Sequence, residues 1–440
     1  MRFGRAPGAW PFLGHVIALR HRPLRLLDSL PAYGDLVEIR LGPRPAFVLC
    51  HPDLARQVLT DFHGFDRTGL VYERVRMAMG SGLATATHQD HRRQRLVMQP
   101  AFGHEHLRGY VAVMRQEVTA VMDRWQDGDL VDMVDEMFKL TTTVALRALF
   151  SSQLGSGEAE QLRQAFDAFL RGIYARAVLP MGGRLPTPSN RHYARAVAHW
   201  RGQVSKLING YRLAGAGRGD LMSRLLAARD EQGRGMPDKE LADQVAVLML
   251  AGGETTSAAV VWSLHLLSGH PQVLDALHAE TDAVLGRDVA GWEHLPRLEL
   301  AARVVREALR LYPPAWAIPR ISVRETILAG RTLPAGSMVI FSPYILHRRP
   351  DLYPRPRRFD PGRWLAPAQG AAAAHRASFL PFGAGATKCI GEEFGFAEAT
   401  LVLASIVARW DLHPEAGTTV SPAARAVLVP KAFPVRLSGR

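Results

Sequence analysis

The chain has 440 residues, a formal net charge of +13, and 47% hydrophobic against 22% charged residues. That balance is ordinary for a folded globular protein and excludes a disordered or low-complexity chain. Two cysteines, Cys50 and Cys389, exclude a disulfide framework beyond a single bridge; in a reducing compartment they read as one structural thiol and one reactive or metal-binding thiol.

The 54 basic residues are nearly all Arg and are dispersed, with no basic run interleaved with aromatics. Nucleic acid is therefore not an expected partner, whereas steering of an acidic protein partner is. No stretch of 18 or more apolar residues lacks charges, so no membrane span is expected. Met1-Arg2-Phe3-Gly4-Arg5 runs into Pro and Gly rather than into an apolar segment, which argues against a secretory signal and for the cytoplasm. No internal repeat is visible, and residues 1–440 read as a single domain.

In chain order, Leu36–Leu41 alternates as a strand with Val37, Ile39 and Leu41 on one face. Gly42-Pro43-Arg44-Pro45 is a turn, and residues 46–50 form the returning strand. His51-Pro52-Asp53 opens a short helix over 54–59. Residues 61–88 are Gly-rich and read as a long loop. From about Arg92 the apolar spacing becomes helical, with segments near 105–126, 130–150, 157–178 and 190–213; residues 180–188 and 215–219 read as breaks. The longest helical pattern covers 238–268 and stops at Gly269-His270-Pro271, long enough at about 45 Å to cross the molecule. Helices follow near 271–285 and 299–311, then short strands at 326–328, 331–333 and 337–342. A loop-rich stretch over 343–388 leads to Cys389 and a last helix near 391–409. The fold class is mainly α with small antiparallel β-sheets.

The most informative segment is Phe382-Gly383-Ala384-Gly385-Ala386-Thr387-Lys388-Cys389-Ile390-Gly391. A Gly-rich loop brings a lone Cys to the start of a helix, whose positive end and free N–H groups favour the thiolate. Gly385 and Gly391 permit close approach of the backbone to a flat ligand. With no CxxC and no second Cys nearby, zinc or an iron–sulfur cluster would lack ligands, whereas haem needs one thiolate. The segment resembles the cytochrome P-450 cysteine loop, Phe-x-x-Gly-x-x-x-Cys-x-Gly. The resemblance implies that family's fold, with haem b between the long central helix and the Cys loop. It makes Cys389 the iron ligand and sets Phe382, Gly383 and Gly391 against the cofactor. The sequence departs from the family at Thr387, where Arg or His usually contacts a haem propionate; Lys388 is adjacent.

Further motifs follow the same resemblance. Ala251-Gly252-Gly253-Glu254-Thr255-Thr256 sits in the middle of the longest helix, where each Gly costs about 1 kcal/mol relative to Ala. A kink or room for a ligand would justify that cost; a helix-packing notch with a surface Glu is the structural alternative. By resemblance, Ala251 and Gly252 border the haem and Glu254 and Thr255 deliver protons during oxygen activation. His91 and Arg95 share a helix face at i and i+4 and resemble the family's propionate-binding pair, with Arg320 as a third propionate contact. Glu307, Arg310 and Arg363 resemble the family's Glu-Arg-Arg cluster, a structural network that must be fully paired if buried. Cys50 reads as core.

An apolar substrate pocket is expected from Leu70, Val71, Leu83, Ala84, Leu248, Trp316, Ala317 and Ile318, which suits a lipophilic molecule with few polar handles. His91-Arg92-Arg93-Gln94-Arg95 and Gly172-Ile173-Tyr174-Ala175-Arg176 are similar to actinobacterial members that oxidise terpene hydrocarbons. The implied activity is insertion of one oxygen atom of O2 into a C–H bond, in secondary metabolism, by a monomer. With no flavin or iron–sulfur segment in the chain, electrons would come from a ferredoxin and an NAD(P)H-dependent ferredoxin reductase. Macrolide or polyketide tailoring is the rival within the same chemistry. A non-turnover haem-thiolate sensor is the rival from another class, disfavoured by the acid–alcohol pair, and a peroxide-driven or isomerase-type enzyme is a third reading.

Overall fold

The helix Asp238–Ser268 is the axis of the structure. It begins after Pro237 with Asp238 and Glu240 in its first turn, where carboxylates complement the helix dipole, and ends at Gly269. Packed against it are Met133–Phe150, Pro188–Ala214, Glu299–Leu311 and Glu392–Arg409. The computed structural model describes residues 1–150, 156–178, 187–214, 220–365 and 378–440. The breaks expected at 180–188 and 215–219 lie largely or wholly outside the described residues, as do the side chains of residues 172–176.

Two further helices show why the core forms here. Glu299–Leu311 buries Ala301, Val304, Val305, Ala308 and Leu309 at helical spacing along one face. In Glu392–Arg409 every residue from Ala397 to Ala408 is buried, the signature of a core helix apolar on all sides; Glu398 is its one buried ionisable group. Among the described helices, only Asp238–Ser268 is long and apolar enough to cross a membrane, and 67% of its most apolar window is buried inside the protein.

The main sheet has six strands, in the order Phe3–Arg5, Leu36–Leu41, Arg44–Leu49, Met338–Phe341, Ile318–Ser322 and Phe65–Asp66. Alternation along the strands separates two cores. Leu36, Phe47, Leu49, Val339 and Phe341 face one side, and Val37, Ile39, Ala46, Val48 and Cys50 the other. Cys50 is fully buried, and burial pushes its thiol up to about 12, as a structural thiol should be.

Two expectations need correction, and one strand went unread. The main sheet is mixed, not wholly antiparallel: Phe3–Arg5 runs parallel to Leu36–Leu41, and Arg44–Leu49 parallel to Met338–Phe341. Residues 61–88 are not one long loop, since they contain the strand Phe65–Asp66 and the helix Gly69–Met79. Ile318–Ser322 is a strand that sequence reading missed, because Pro319 inside it argues against a ladder position.

Candidate active site

A deep cavity lies between the central helix and the loop over 382–391. It holds about 1720 Å³ of space free of protein atoms, part of it open to solvent. Ala251, Gly252 and Thr255 line it from the helix; Phe382, Gly383, Cys389 and Gly391 line it from the loop; His91, Arg95 and Arg320 line one end.

The Cys loop is built by local hydrogen bonds and two left-handed glycines. The Cys389 N–H donates to the Phe382 carbonyl at 2.8 Å, and the Lys388 N–H to the Gly385 carbonyl at 3.1 Å. Gly383 and Gly385 have φ of +73° and +67°, conformations that L side chains rarely adopt. Gly385 is fixed by the protein itself, not by a flat ligand: a Cβ there would lie 2.4 Å from the Leu59 carbonyl oxygen. Gly391 does face open space, with no atom within 4 Å of a would-be Cβ.

Cys389 is exposed onto the cavity it lines. The expected thiolate is not favoured by the protein alone. Desolvation inside the cavity raises the Cys389 thiol above its ordinary value, and the opposing Gly391 N–H, Arg95 and Lys388 do not outweigh it. A metal ion bound to sulfur would remove that proton itself.

On the central helix the Gly-Gly pair divides its work. Gly252 lines the cavity. Gly253 faces the helix Met133–Phe150, where a Cβ would lie 2.7 Å from the Thr142 hydroxyl oxygen, and its carbonyl accepts from the Thr141 hydroxyl at 2.7 Å. The Thr255 hydroxyl donates to the Ala251 carbonyl at 2.5 Å, the usual back-bond of a helical Thr. Glu254 is half-buried and outside the cavity lining.

The cationic end is built from three elements. His91 is buried on the helix His88–Met98, and its Nδ1 has no hydrogen-bond partner. Burial, with Arg67, Arg95 and Arg320 nearby, pushes the imidazole down to about 3, so it is neutral. The Arg95 guanidinium donates to the Lys388 carbonyl. Arg320 donates to the Tyr72 hydroxyl at 2.8 Å, which itself donates to the Pro319 carbonyl at 3.0 Å. Lys388 does not point to this end, because its ammonium pairs with Glu392.

Behind the loop, Glu307 is completely buried and fully paired. Its carboxylate accepts from Arg310, Arg363, the Trp364 indole N–H and the Asp360 N–H. Arg310 spends its remaining N–H groups on the carbonyls of His347, Pro356 and Arg358, which ties down the segment leading to the Cys loop. His347 is fully buried and accepts from the Leu380 N–H at 2.9 Å.

Of the expected pocket residues, Leu83, Ala84, Leu248 and Ile318 line the cavity. Val71 does not: it is 44% exposed, because it lies on the outer face of a helix where a loop was expected. Trp316 and Ala317 are also outside the lining; the Trp316 indole turns away to donate to the Arg425 carbonyl, and Pro314 and Ala315 take that wall. The Leu70 side chain lies outside the described residues. Sequence reading missed Arg67, Tyr72 and Thr256 in the wall, and Glu398 behind it. Burial raises the Glu398 carboxyl well above the usual carboxylate range, against the pull of the Thr256 hydroxyl.

These features fit haem b. Gly391 and Gly383 leave the loop side clear of side chains, a lone sulfur faces a wall of small residues, and one edge holds the partnerless His91 Nδ1 with guanidiniums that form no ion pair among the described residues, a set that suits carboxylates. The chain's relatives agree. The cytochrome P450 family model matches residues 5–435. The chain is 44% identical over 420 residues to cyclooctat-9-en-7-ol 5-monooxygenase of Streptomyces melanosporofaciens, covering 95% of this chain and 91% of that protein. It is 42% identical over 439 residues to pentalenene oxygenase of Streptomyces avermitilis, covering 99% and 97%. The crystal structure of the cytochrome P450DA heme domain superposes with a TM-score of 0.90 at 26% identity, covering 100% of this chain and 98% of that one. The chain thus belongs to the cytochrome P450 family and is a haem b-dependent monooxygenase.

Proposed function

We propose that the protein hydroxylates a terpenoid, using O2 and electrons from a ferredoxin and its NAD(P)H-dependent reductase. The observation that carries the substrate class is the segregation of the cavity wall. Its guanidiniums gather at the His91 end and the Lys388 ammonium is paired with Glu392, while Leu83, Val247, Leu248, Ala148 and Ile318 supply only hydrocarbon. A polyhydroxylated macrolide would leave polar groups unpaired against that wall, whereas a terpene hydrocarbon has none to lose. Two relatives carry names of terpene oxygenases, which supports the same reading.

Bound haem b supplies the redox and oxygen chemistry. Cys389 would hold its iron through Sγ; His91, Arg95 and Arg320 would hold its carboxylates. Ala251 and Gly252 keep the opposite wall low, leaving room for a small ligand. Thr255 holds a proton at Oγ1 and gives up only a back-bond to reorient it. Glu254, next to it and outside the lining, reaches the cavity through Thr255 or water. The acid–alcohol pair favours turnover over a sensing role.

Bacterial members of the family generally use ferredoxin and reductase partners, and we place this one beside such donors in the cytoplasm as a monomer. A test is a binding screen by optical difference spectra, with cyclic terpene hydrocarbons set against glycosylated macrolides. Terpenes should displace iron-bound water at micromolar concentration and then be hydroxylated in the presence of ferredoxin and reductase. Displacement by macrolides alone would overturn the substrate class.

A further inference from the structure

One stretch of surface near the start of the chain is apolar, held in place and ringed by free cations. Trp10, Phe12, Leu13, Val16 and Ile17 are all exposed, Phe12 at 94% and Trp10 at 63%. Single exposed apolar side chains are ordinary, but five within eight residues form a patch. The turn that carries them is fixed. Trp10 and Gly14 exchange backbone hydrogen bonds at 2.9 and 2.8 Å. The Leu13 carbonyl accepts from the Gly42 N–H at 3.1 Å, which seats the turn on the tip of the hairpin formed by Leu36–Leu41 and Arg44–Leu49. Phe12 has φ of +58°, a conformation that is costly for a bulky residue. Its ring packs against almost nothing in the chain, so that strain has no return inside the protein.

The charge around the patch is of one sign. Residues 1–27 contain five Arg and no Asp or Glu. Arg20, Arg22 and Arg25 follow the patch, and Arg40 and Arg44 flank it on the hairpin; all are exposed and form no ion pair among the described residues. On the helix Val16–His21, Arg20 lies at i+4 from Val16 and i+3 from Ile17, one turn behind the apolar side chains. The next acids in the chain, Asp28, Asp35 and Glu38, are each within ion-pair distance of another Arg: Arg357, Arg349 and Arg5. We infer that this patch docks the protein on an anionic lipid surface. Its aromatic and aliphatic side chains enter the boundary between headgroups and acyl chains while the arginines meet lipid phosphates, the arrangement of an interfacial amphipathic segment. Phe12 protrudes rather than lining a groove, which suits a fluid bilayer better than a fitted protein partner. The contact is peripheral and spans nothing. A hydrocarbon substrate of the kind proposed above partitions into the same bilayer, but the docking itself rests neither on that substrate nor on haem.

Sedimentation of the haem-loaded full chain with lipid vesicles tests this. Wild type should pellet with phosphatidylglycerol vesicles and far less with phosphatidylcholine vesicles, and added salt should weaken the binding by screening. Phe12→Gly removes the ring and suits the positive φ, so it should fold and retain haem. Its partition onto phosphatidylglycerol should fall about tenfold or more, the worth of one buried aromatic side chain. Arg40→Glu combined with Arg44→Glu should abolish the preference for phosphatidylglycerol. Acyl chains carrying bromine should quench the tryptophan fluorescence of wild type, and Trp10→Phe should still bind but lose most of that quenching. Wild type that stays in the supernatant, or Phe12→Gly and the double charge variant both pelleting like wild type, would overturn the inference. So would a lipid-free dimer that Phe12→Gly dissociates, which would assign the patch to a second copy of the chain. If the double charge variant does not fold, the salt dependence of wild type reads the same electrostatics.

Discussion

Glu307 and Arg310 meet in a two-pronged ion pair, Nε to Oε2 at 2.9 Å and Nη2 to Oε1 at 2.8 Å, with neither side chain exposed to solvent. Every further lone pair or N–H of the two that the structure engages goes to the segment between residues 347 and 364. Removing Glu307 would leave Arg310 and Arg363 buried without a counter-charge. Glu307→Ala should therefore cost about 3–5 kcal/mol, read from urea unfolding, and should reduce haem content. A loss below about 1 kcal/mol would show that the network is replaceable by packing alone.

Thr255 presents its hydroxyl to the cavity while bonded to Ala251. Thr255→Ala removes the proton held there and leaves the apolar wall intact. Product formation should fall at least about tenfold, as expected for loss of a proton-delivering group, while NAD(P)H oxidation continues and hydrogen peroxide accumulates in place of product. Measured together, unchanged product yield per NAD(P)H would remove Thr255 from the proton route.

His347 gives an acid-side prediction. Burial, with Arg310 and Arg348, pushes its imidazole down to about 3. The unfolded chain takes up a proton as pH falls below about 6.5, whereas the folded chain resists until near 3. Stability is thus full above pH 6.5 and is lost toward pH 3, at up to about 1.4 kcal/mol per pH unit for this group. His347→Gln keeps an acceptor for the Leu380 N–H without titrating, so its unfolding free energy between pH 6.5 and 4.5 should fall less steeply than wild type. Parallel curves would show that His347 does not titrate this way.

Glu398 gives the opposite sign. Its folded carboxyl lies well above 4.5 because of burial. Its contribution is present below the unfolded value and is lost as pH rises toward the folded one. Glu398→Gln mimics the neutral acid, so it should gain on wild type as pH rises from 5 to 8. Unfolding curves at those two pH values check this; a constant difference between the two proteins would mean an ionised Glu398.

The central helix was legible to the residue because its signals are local: an acidic first turn and a Gly-His-Pro stop. So was the Cys loop, since Gly spacing and a lone Cys need no tertiary knowledge. The helix Gly69–Met79 was hidden because Gly64, Gly69, Gly80 and Gly82 surround it and its apolar stripe is weak. What the glycines do was equally hidden. Gly385 answers to Leu59 and Gly253 to Thr142, contacts between residues far apart in the chain. Arg67 and Glu398 carry no motif of their own; only the cavity and the burial of a charged group single them out.

Carbon monoxide binding to the reduced protein reads the ligand of the iron most directly. Wild type should give the absorption band of thiolate-ligated haem, and Cys389→Ser should lose it while keeping the fold by circular dichroism. A globin-type spectrum from wild type, or an unchanged thiolate-type band in Cys389→Ser, would contradict ligation by the Cys389 sulfur.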